Sequence, residues 1–174
     1  MNTPAMLLLL GGVLIPSSTA PIAQSIPATP TLQTAPDLGS AEIYCPAEPN
    51  SMGIAATIGT FGSLAPTNET FGLSVTGVPA VPTSWGMFTC GTEQTNIPFG
   101  NGRLCVSPFS QGIFRMTTQS LAQGTITLSM ETSLQDFVLC TPGSTWNFQF
   151  WYRDVAAGGS RFNLSNAVHV RFAP

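Results

Sequence analysis

The sequence predicts an all-β fold, an antiparallel β-sandwich of jelly-roll or immunoglobulin-like type with about eight or nine short strands. Segments that alternate apolar and polar residues recur at intervals of roughly 10–15 residues along the chain. Turns rich in Gly and Pro separate these segments. No segment shows the periodicity of an amphipathic helix. Short strands between such turns are typical of a sandwich or a barrel.

Two strands near the end of the chain show the clearest alternation. In residues 146–153, one face carries four large aromatic side chains, which are Trp146, Phe148, Phe150 and Tyr152. The opposite face carries the more polar set Asn147, Gln149, Trp151 and Arg153. Because strand side chains point alternately to the two sides of a sheet, this pattern predicts a half-buried strand whose aromatic face forms the core. A second strand should place Val168, Val170 and Phe172 together on one face.

The earlier strands are predicted from shorter segments. Their expected ranges are residues 54–60, 70–76, 85–90, 93–98, 103–107, 112–117 and 124–130. In residues 70–76 the alternation is strongest, with Phe71, Leu73 and Val75 on one side. Residues 99–102, Phe-Gly-Asn-Gly, indicate a hairpin, and the Asn-Gly pair favours a type I′ turn.

The chain is predicted to contain three parts: a signal peptide over residues 1–25, a Pro/Thr-rich linker over residues 26–41 and the β-sandwich domain over residues 42–174. About ten apolar residues in the range 6–15 are too few to span a bilayer and suit the hydrophobic region of an export signal. The alternative left open is an uncleaved N-terminal anchor. The linker composition does not favour a buried core.

Few residues of the chain are charged. Charged side chains make up 7% of the sequence, against about 25% in ordinary globular proteins, and the net charge is −3. A chain without a cluster of cations is a poor ligand for nucleic acid or for an anionic membrane surface. We therefore expect neither partner, nor a membrane contact once the signal has been cleaved.

Four cysteines, Cys45, Cys90, Cys105 and Cys140, predict two disulfides in an exported chain. Three pairings are possible for four cysteines. Cys90 and Cys105 flank the expected hairpin and could close it, or Cys45 pairs with Cys105 and leaves Cys90 for Cys140. The spacing does not separate these alternatives. With one histidine and no paired cysteine spacing, neither a zinc site nor any cofactor is expected.

The sequence offers no recognisable catalytic constellation, so the chain is not expected to be an enzyme. His169 is the only histidine, and no Gly-x-Ser-x-Gly elbow is present. The carboxylates of residues 42–174 form no recognisable pair of the kind that glycoside hydrolysis needs. A hydrolase, the least favoured reading, would bring His169 or two carboxylates together in a cleft with shifted pKa values.

The alternative interpretation, a carbohydrate-binding module, places a binding face on the polar side of the strand at residues 146–153. Trp151 and Trp85 are candidates for stacking on a sugar, since a surface rich in Asn, Gln, Ser and Thr suits ligands with many hydroxyl groups. The other candidate ligand-binding residues are Arg153, Asp154, Asn147 and Gln149. Asp154 is also expected to cap a turn as an ion pair with Arg153.

Four segments resemble one family. They are Tyr44-Cys45, PFGNGRLCV at residues 98–106, GSTWNFQFWYRD at residues 143–154 and FNLSNAVHVRF at residues 162–172. Together they are similar to C-terminal modules of uncharacterised secreted proteins that are common in planctomycete-type bacteria. Many of those modules end in Phe-Cys-Pro, where this chain has Phe172-Ala173-Pro174. The resemblance implies a secreted module and names no activity.

The sequence therefore favours a secreted or cell-surface, non-enzymatic module with a structural or adhesive role. Its alternative is a carbohydrate-binding module that uses an exposed Trp on a strand face. Expected partners are polysaccharides or other cell-surface proteins. Self-association through an exposed edge strand at residues 93–98 is also expected, because an unpaired edge can bond to a neighbouring chain.

Overall fold

Ten antiparallel strands build the fold in the part of the chain that the computed structural model describes, residues 37–65, 71–129 and 141–174. The strands are β1 (Ser40–Tyr44), β2 (Thr57–Phe61), β3 (Gly72–Thr76), β4 (Val81–Gly91), β5 (Gln94–Phe99), β6 (Gly102–Val106), β7 (Phe114–Leu121), β8 (Ile126–Ser129), β9 (Thr145–Arg153) and β10 (Phe162–Arg171). A single 3₁₀ turn, Val155–Ala157, follows β9. The prediction of an all-β antiparallel sandwich is confirmed.

The strand that the sequence did not predict is β1, which begins at Ser40 inside the expected linker. It pairs with β10 in the register Ser40 opposite Arg171 to Tyr44 opposite Ala167. Backbone hydrogen bonds hold this edge strand, and none of its side chains is fully buried. An edge strand of this kind leaves no alternation of apolar residues in the sequence, which is why the pattern did not indicate it.

A five-stranded sheet in the order β1-β10-β9-β4-β7 faces a three-stranded sheet in the order β2-β3-β8. The core lies between the two sheets. The predicted core face of β9 is confirmed, because Phe148 and Phe150 are completely buried there, and Val170 on β10 is completely buried as well. Phe71, just before β3, packs edge-on against Phe172 with 5.0 Å between ring centroids. Large aromatic side chains therefore join the two layers.

The opposite face of the five-stranded sheet carries a further layer, the β5–β6 hairpin. Residues on β6 are buried against that face, among them Leu104, Cys105 and Val106. Asn147 and Gln149 lie beneath the hairpin and are 1% and 0% exposed. The prediction that β9 is half-buried, with these two amides on an accessible polar face, is wrong, because the hairpin covers this half of the strand.

The hairpin turn differs from the expected type. Gly100 and Asn101 form the two-residue loop, since Phe99 pairs with Gly102. Of these two residues only Gly100 has a positive φ, +66°, which is the pattern of a type II′ turn instead of type I′. A Cβ atom on Gly100 would overlap the ring of Phe162. The glycine is therefore required both by its backbone conformation and by the ring that lies against the turn.

A disulfide joins Cys45 to Cys105 and ties the end of β1 to β6. This finding excludes the closure of the hairpin by Cys90 and Cys105. Tyr44 donates a hydrogen bond from its hydroxyl to the carbonyl oxygen of Cys105 at 3.0 Å. Burial raises the pKa of Tyr44 well above its usual range, which keeps this donor protonated. Two consecutive residues are therefore attached to Cys105: Tyr44 by a hydrogen bond and Cys45 by the disulfide.

Several predictions fall outside the described residues. These are the signal peptide, most of the linker and Cys140, the remaining candidate partner of the buried Cys90. Within the three described ranges, no helix has both the length and the apolar character needed to cross a membrane.

Candidate functional site

Four aromatic side chains form a continuous, partly exposed row, three of them on the five-stranded sheet at the edge of the hairpin and the fourth at the end of the hairpin strand β5. We call Trp85, Trp151, Phe162 and Phe99 the aromatic row. Adjacent ring centroids are 5.0 Å apart from Trp85 to Trp151, 5.5 Å from Trp151 to Phe162 and 5.2 Å from Phe162 to Phe99. Trp85 is 37% and Phe99 45% exposed, and the two rings between them are half-buried.

Strand register brings these rings together. Trp151 on β9 lies opposite Met87 of β4 and opposite Leu164 of β10. Trp85 and Phe162 are each two residues from those partners, so they share the face of Trp151 and lie diagonally beside it. Phe99 reaches the row from the last position of β5, where the hairpin turn rests on Phe162.

Successive rings are tilted against one another. The interplanar angles along the row are 41°, 34° and 55° from Trp85 to Phe99. The row is therefore a twisted surface, and a ligand that follows it must turn as it passes from ring to ring. Exposed aromatic side chains that adjoin one another on a low-charge surface are a common sign of an interaction site.

A pocket of about 560 Å³ opens beside Trp85 at one end of the row. Its volume lies within the range of typical small-molecule sites. Three segments line it: the loop before β2, the beginning of β4, and the turn after β9. The lining residues are Ser51, Val81, Thr83, Ser84, Trp85, Arg153, Asp154, Val155 and Ala156.

Asp154 is the buried polar residue of this pocket, with 3% of its surface exposed. Its carboxylate oxygen Oδ2 accepts a hydrogen bond from the backbone N–H of Ser51 at 2.8 Å. No described residue donates a hydrogen bond to the second oxygen, Oδ1. The expected ion pair with Arg153 is not formed, because the Asp154 carboxylate instead holds the loop at Ser51.

Tyr152 lies below Asp154 on the core side and is completely buried. Burial, and to a smaller extent the charge of Asp154, raise the pKa of Tyr152 to about 12. The phenol therefore stays neutral at physiological pH, and Asp154 supplies the negative charge at the base of the pocket.

Arg153 supplies the positive charge at the rim of the pocket, and its side chain is exposed. Its backbone carbonyl accepts a hydrogen bond from the hydroxyl of Ser84 at 3.2 Å, which links the turn after β9 to β4. Its guanidinium forms no hydrogen bond or ion pair with another described residue. Its donors therefore remain available to a ligand.

The structure thus divides the six candidate ligand-binding residues into two groups. Trp85, Trp151, Arg153 and Asp154 lie together on the uncovered part of the sheet and around the pocket. Asn147 and Gln149 are separated from them by the hairpin and are fully occupied by internal hydrogen bonds.

Gln149 illustrates how these amides are used. Its Oε1 accepts a hydrogen bond from the Cys105 backbone N–H at 2.9 Å. Its Nε2 donates to the carbonyl oxygens of Arg103 at 2.8 Å and Ser165 at 2.7 Å. The side chain therefore joins β6 to β10 across β9 and satisfies backbone groups that the hairpin covers.

Sequence reasoning missed Phe99 and Phe162, the outer half of the row. Phe99 precedes the hairpin turn, and Phe162 begins the last strand. Both belong to the segments quoted for the family resemblance, and their position beside turn residues was a signal that could have indicated exposure. The sequence alone does not show that two segments more than fifty residues apart meet, because that depends on how the hairpin folds back.

His169 is placed against amide groups. Its Nδ1 lies 2.9 Å from Oδ1 of Asn147 and 3.2 Å from Nε2 of Gln94. Among the described residues, no group of three or more His, Cys, Asp or Glu side chains is arranged to hold a metal ion.

The chain was compared with protein-family models, with curated proteins and with solved structures, and no match was found in any of the three.

Proposed function

We propose that this chain is a non-enzymatic extracellular binding module that attaches to a polysaccharide through the aromatic row. The observation that carries the proposal is the run of four adjoining, partly exposed aromatic rings at the edge of the hairpin. Such a module would give a cell-surface or secreted protein an adhesive role. The proposal includes secretion of the chain and its membership in the family of secreted modules that its sequence resembles.

Aromatic rings suit sugars for an electrostatic reason. The face of a ring carries partial negative charge, and the axial C–H groups of a pyranose carry partial positive charge. Stacking therefore needs no charged residue, and it also removes apolar surface of both partners from water. The low charge content of this chain, 7%, fits a neutral, hydroxyl-rich ligand better than a charged one.

The twisted row favours a single polysaccharide chain over a flat crystalline surface. A flat lattice could contact several rings together only if they were coplanar. Because neighbouring rings are tilted by 34° to 55°, one chain can contact them in succession only by turning. We therefore expect soluble or amorphous forms of a glycan to bind better than crystalline ones.

A non-enzymatic role is supported by the surroundings of the polar groups. The Nδ1 atom of His169 is within hydrogen-bond distance of the side-chain amides of Gln94 and Asn147, and it has no hydroxyl nucleophile as a hydrogen-bond partner. The pocket contains the carboxylate of Asp154 and no second carboxylate among its lining residues, whereas glycoside hydrolysis ordinarily uses two.

The test is a pull-down of the purified, oxidised chain on soluble-polysaccharide gels and on amorphous and crystalline polysaccharides. We expect retention on at least one neutral polysaccharide. Trp151→Ala, which removes the ring between Trp85 and Phe162, should reduce the affinity at least about tenfold, as expected for a central aromatic contact.

Phe109→Ala is the matched control. Phe109 is 66% exposed but makes no ring contact with the aromatic row, so its loss should leave retention unchanged. Thermal melting checks that the variants are folded. Failure of the wild-type chain to bind any polysaccharide would overturn the proposal, and equal losses in both variants would show that the binding is non-specific.

A further inference from the structure

We infer that the pocket beside Trp85 is a subsite for one neutral sugar unit, which Asp154 holds by accepting hydrogen bonds from its hydroxyl groups. The inference rests on the proposed polysaccharide binding and adds to it a position, a hydrogen-bonding residue and a ligand class. Trp85 belongs both to the row and to the pocket lining, so a glycan on the row can continue into the pocket.

The polar groups of the pocket match a sugar unit. Asp154 is almost completely buried, and one of its oxygens is fixed by the Ser51 N–H. The other oxygen, which accepts nothing from the described residues, is the acceptor that remains for a ligand. Hydrogen bonds to an ionised carboxylate are stronger than those between neutral groups. A hydrogen bond from one sugar hydroxyl to Asp154 should therefore contribute considerably to the affinity.

The remaining lining completes the match. Arg153 donates from the rim, the hydroxyl of Thr83 can donate or accept, and the ring of Trp85 gives an apolar wall. Concave sites for small ligands usually combine a mostly apolar surface with a few polar groups of this kind.

The charges select against acidic sugars. A uronate carboxylate in the pocket would face the buried charge of Asp154, and like charges repel strongly where water is excluded. Arg153, at the exposed rim, is screened by solvent and compensates only in part. The net charge of −3 adds to the repulsion of polyanions. A neutral hexose or pentose unit meets neither obstacle.

The test uses calorimetric titration with neutral oligosaccharides of increasing length, taken from the polysaccharide that the chain retains, and with matched uronic-acid oligosaccharides. Asp154→Asn keeps an oxygen that can accept from Ser51 but replaces the other acceptor with an NH₂ donor. We expect it to weaken the binding of neutral oligosaccharides on the order of tenfold or more. Uronic-acid oligosaccharides should bind the wild type more weakly than neutral ones.

A second variant keeps the test valid if Asp154→Asn does not fold. Thr83→Leu replaces the hydroxyl with a larger, non-aromatic side chain at an exposed position of the lining and leaves Asp154 and Ser51 untouched. It should weaken the binding to a similar extent, with an unchanged melting temperature. Phe109→Ala again serves as the control.

The outcomes separate this inference from the proposed function. If Trp151→Ala abolishes binding while Asp154→Asn and Thr83→Leu leave it unchanged, the row binds glycan and the pocket inference is wrong. Preferential binding of uronic-acid oligosaccharides would also overturn it. If the wild type binds no glycan but captures a surface protein through the row, both proposals fail.

Discussion

The two halves of one strand face have opposite uses. Toward the start of β9, Asn147 and Gln149 lie beneath the β5–β6 hairpin and bond to the backbone around them. Toward its end, Trp151 and Arg153 lie outside the hairpin, beside the pocket and the aromatic row. The difference shows that the covering layer, and not the strand itself, decides whether a side chain supports the fold or is available to a ligand.

Asn101 attaches the hairpin turn to the loop between β9 and β10. Asn101 at the hairpin turn donates from Nδ2 to the carbonyl oxygen of Gly158 at 2.9 Å and accepts at Oδ1 from the N–H of Ser160 at 2.9 Å.

On β10, a bulge between Leu164 and Ala167 frees backbone groups. Asn166 accepts at Oδ1 from the N–H of Ile58 at 2.8 Å, which links this bulge to the other sheet.

Gln149→Ala should destabilise the half of the β9 face that the hairpin covers. Of the variants considered, it should lower the free energy of unfolding most. It leaves the N–H of Cys105 and the carbonyls of Arg103 and Ser165 without their partner in a place that water does not reach easily. We expect the free energy of unfolding to fall by about 3–5 kcal/mol, a large part of the total for a domain.

Urea denaturation measures this loss. Gln123→Ala, at an exposed glutamine between β7 and β8, is the control and should change the stability by less than about 0.5 kcal/mol. A similar small effect of Gln149→Ala would show that the hairpin does not depend on this side chain.

Gly100→Ala should weaken the contact between the hairpin turn and Phe162, at the boundary between the covered and uncovered halves of the sheet face. The new Cβ meets the ring of Phe162, and the residue must also keep its positive φ. We expect a loss of about 2–3 kcal/mol. Gly112→Ala separates the two causes, because Gly112 has a φ of +82° but nothing within 4 Å of the added atom.

Thermal melting of the pair gives the result. The Gly112 variant should lose only about 1 kcal/mol, the cost of the backbone conformation. If the two variants lose the same amount, the contact between the hairpin turn and Phe162 contributes nothing.

Tyr152→Phe tests the end of β9, which the hairpin leaves uncovered. At neutral pH it should change the free energy of unfolding least. The pKa of Tyr152 is about 12 in the folded chain, above the value of about 10 for an unfolded tyrosine. The unfolded state therefore releases its proton first, and the stability that this phenol contributes is complete below pH 10 and is lost as the pH rises toward 12.

Denaturation at pH 8 and at pH 11 tests this expectation. The stability of the wild type should fall more between the two values than that of Tyr152→Phe, which has no proton to release. Equal losses would show that Tyr152 ionises in the folded chain as it does in the unfolded one.

The sheet faces that form the core could be predicted from the sequence, because their residues follow the alternation of apolar and polar side chains along each strand. The buried positions Phe71, Phe148 and Phe150 follow from the two-residue period of a strand. The outer face could not be read in this way, because the residues that cover Gln149 come from a hairpin some 44 positions earlier in the chain. The same separation explains the site: Trp85 and Trp151 were identified singly, and their contact depends on the register of β4 and β9.

The disulfide has a mechanical consequence. Ser40 and Arg171 lie opposite each other at one end of the β1–β10 pair, so a force that pulls the chain apart at these two residues would peel β1 away one hydrogen bond at a time. Peeling stops after Tyr44, because Cys45 is bonded to Cys105. The chain between these cysteines, which are 60 positions apart and enclose β2 to β5 and three residues of β6, is then shielded from the load. A module tethered in this way can lengthen slightly under tension while the strands between its cysteines remain folded.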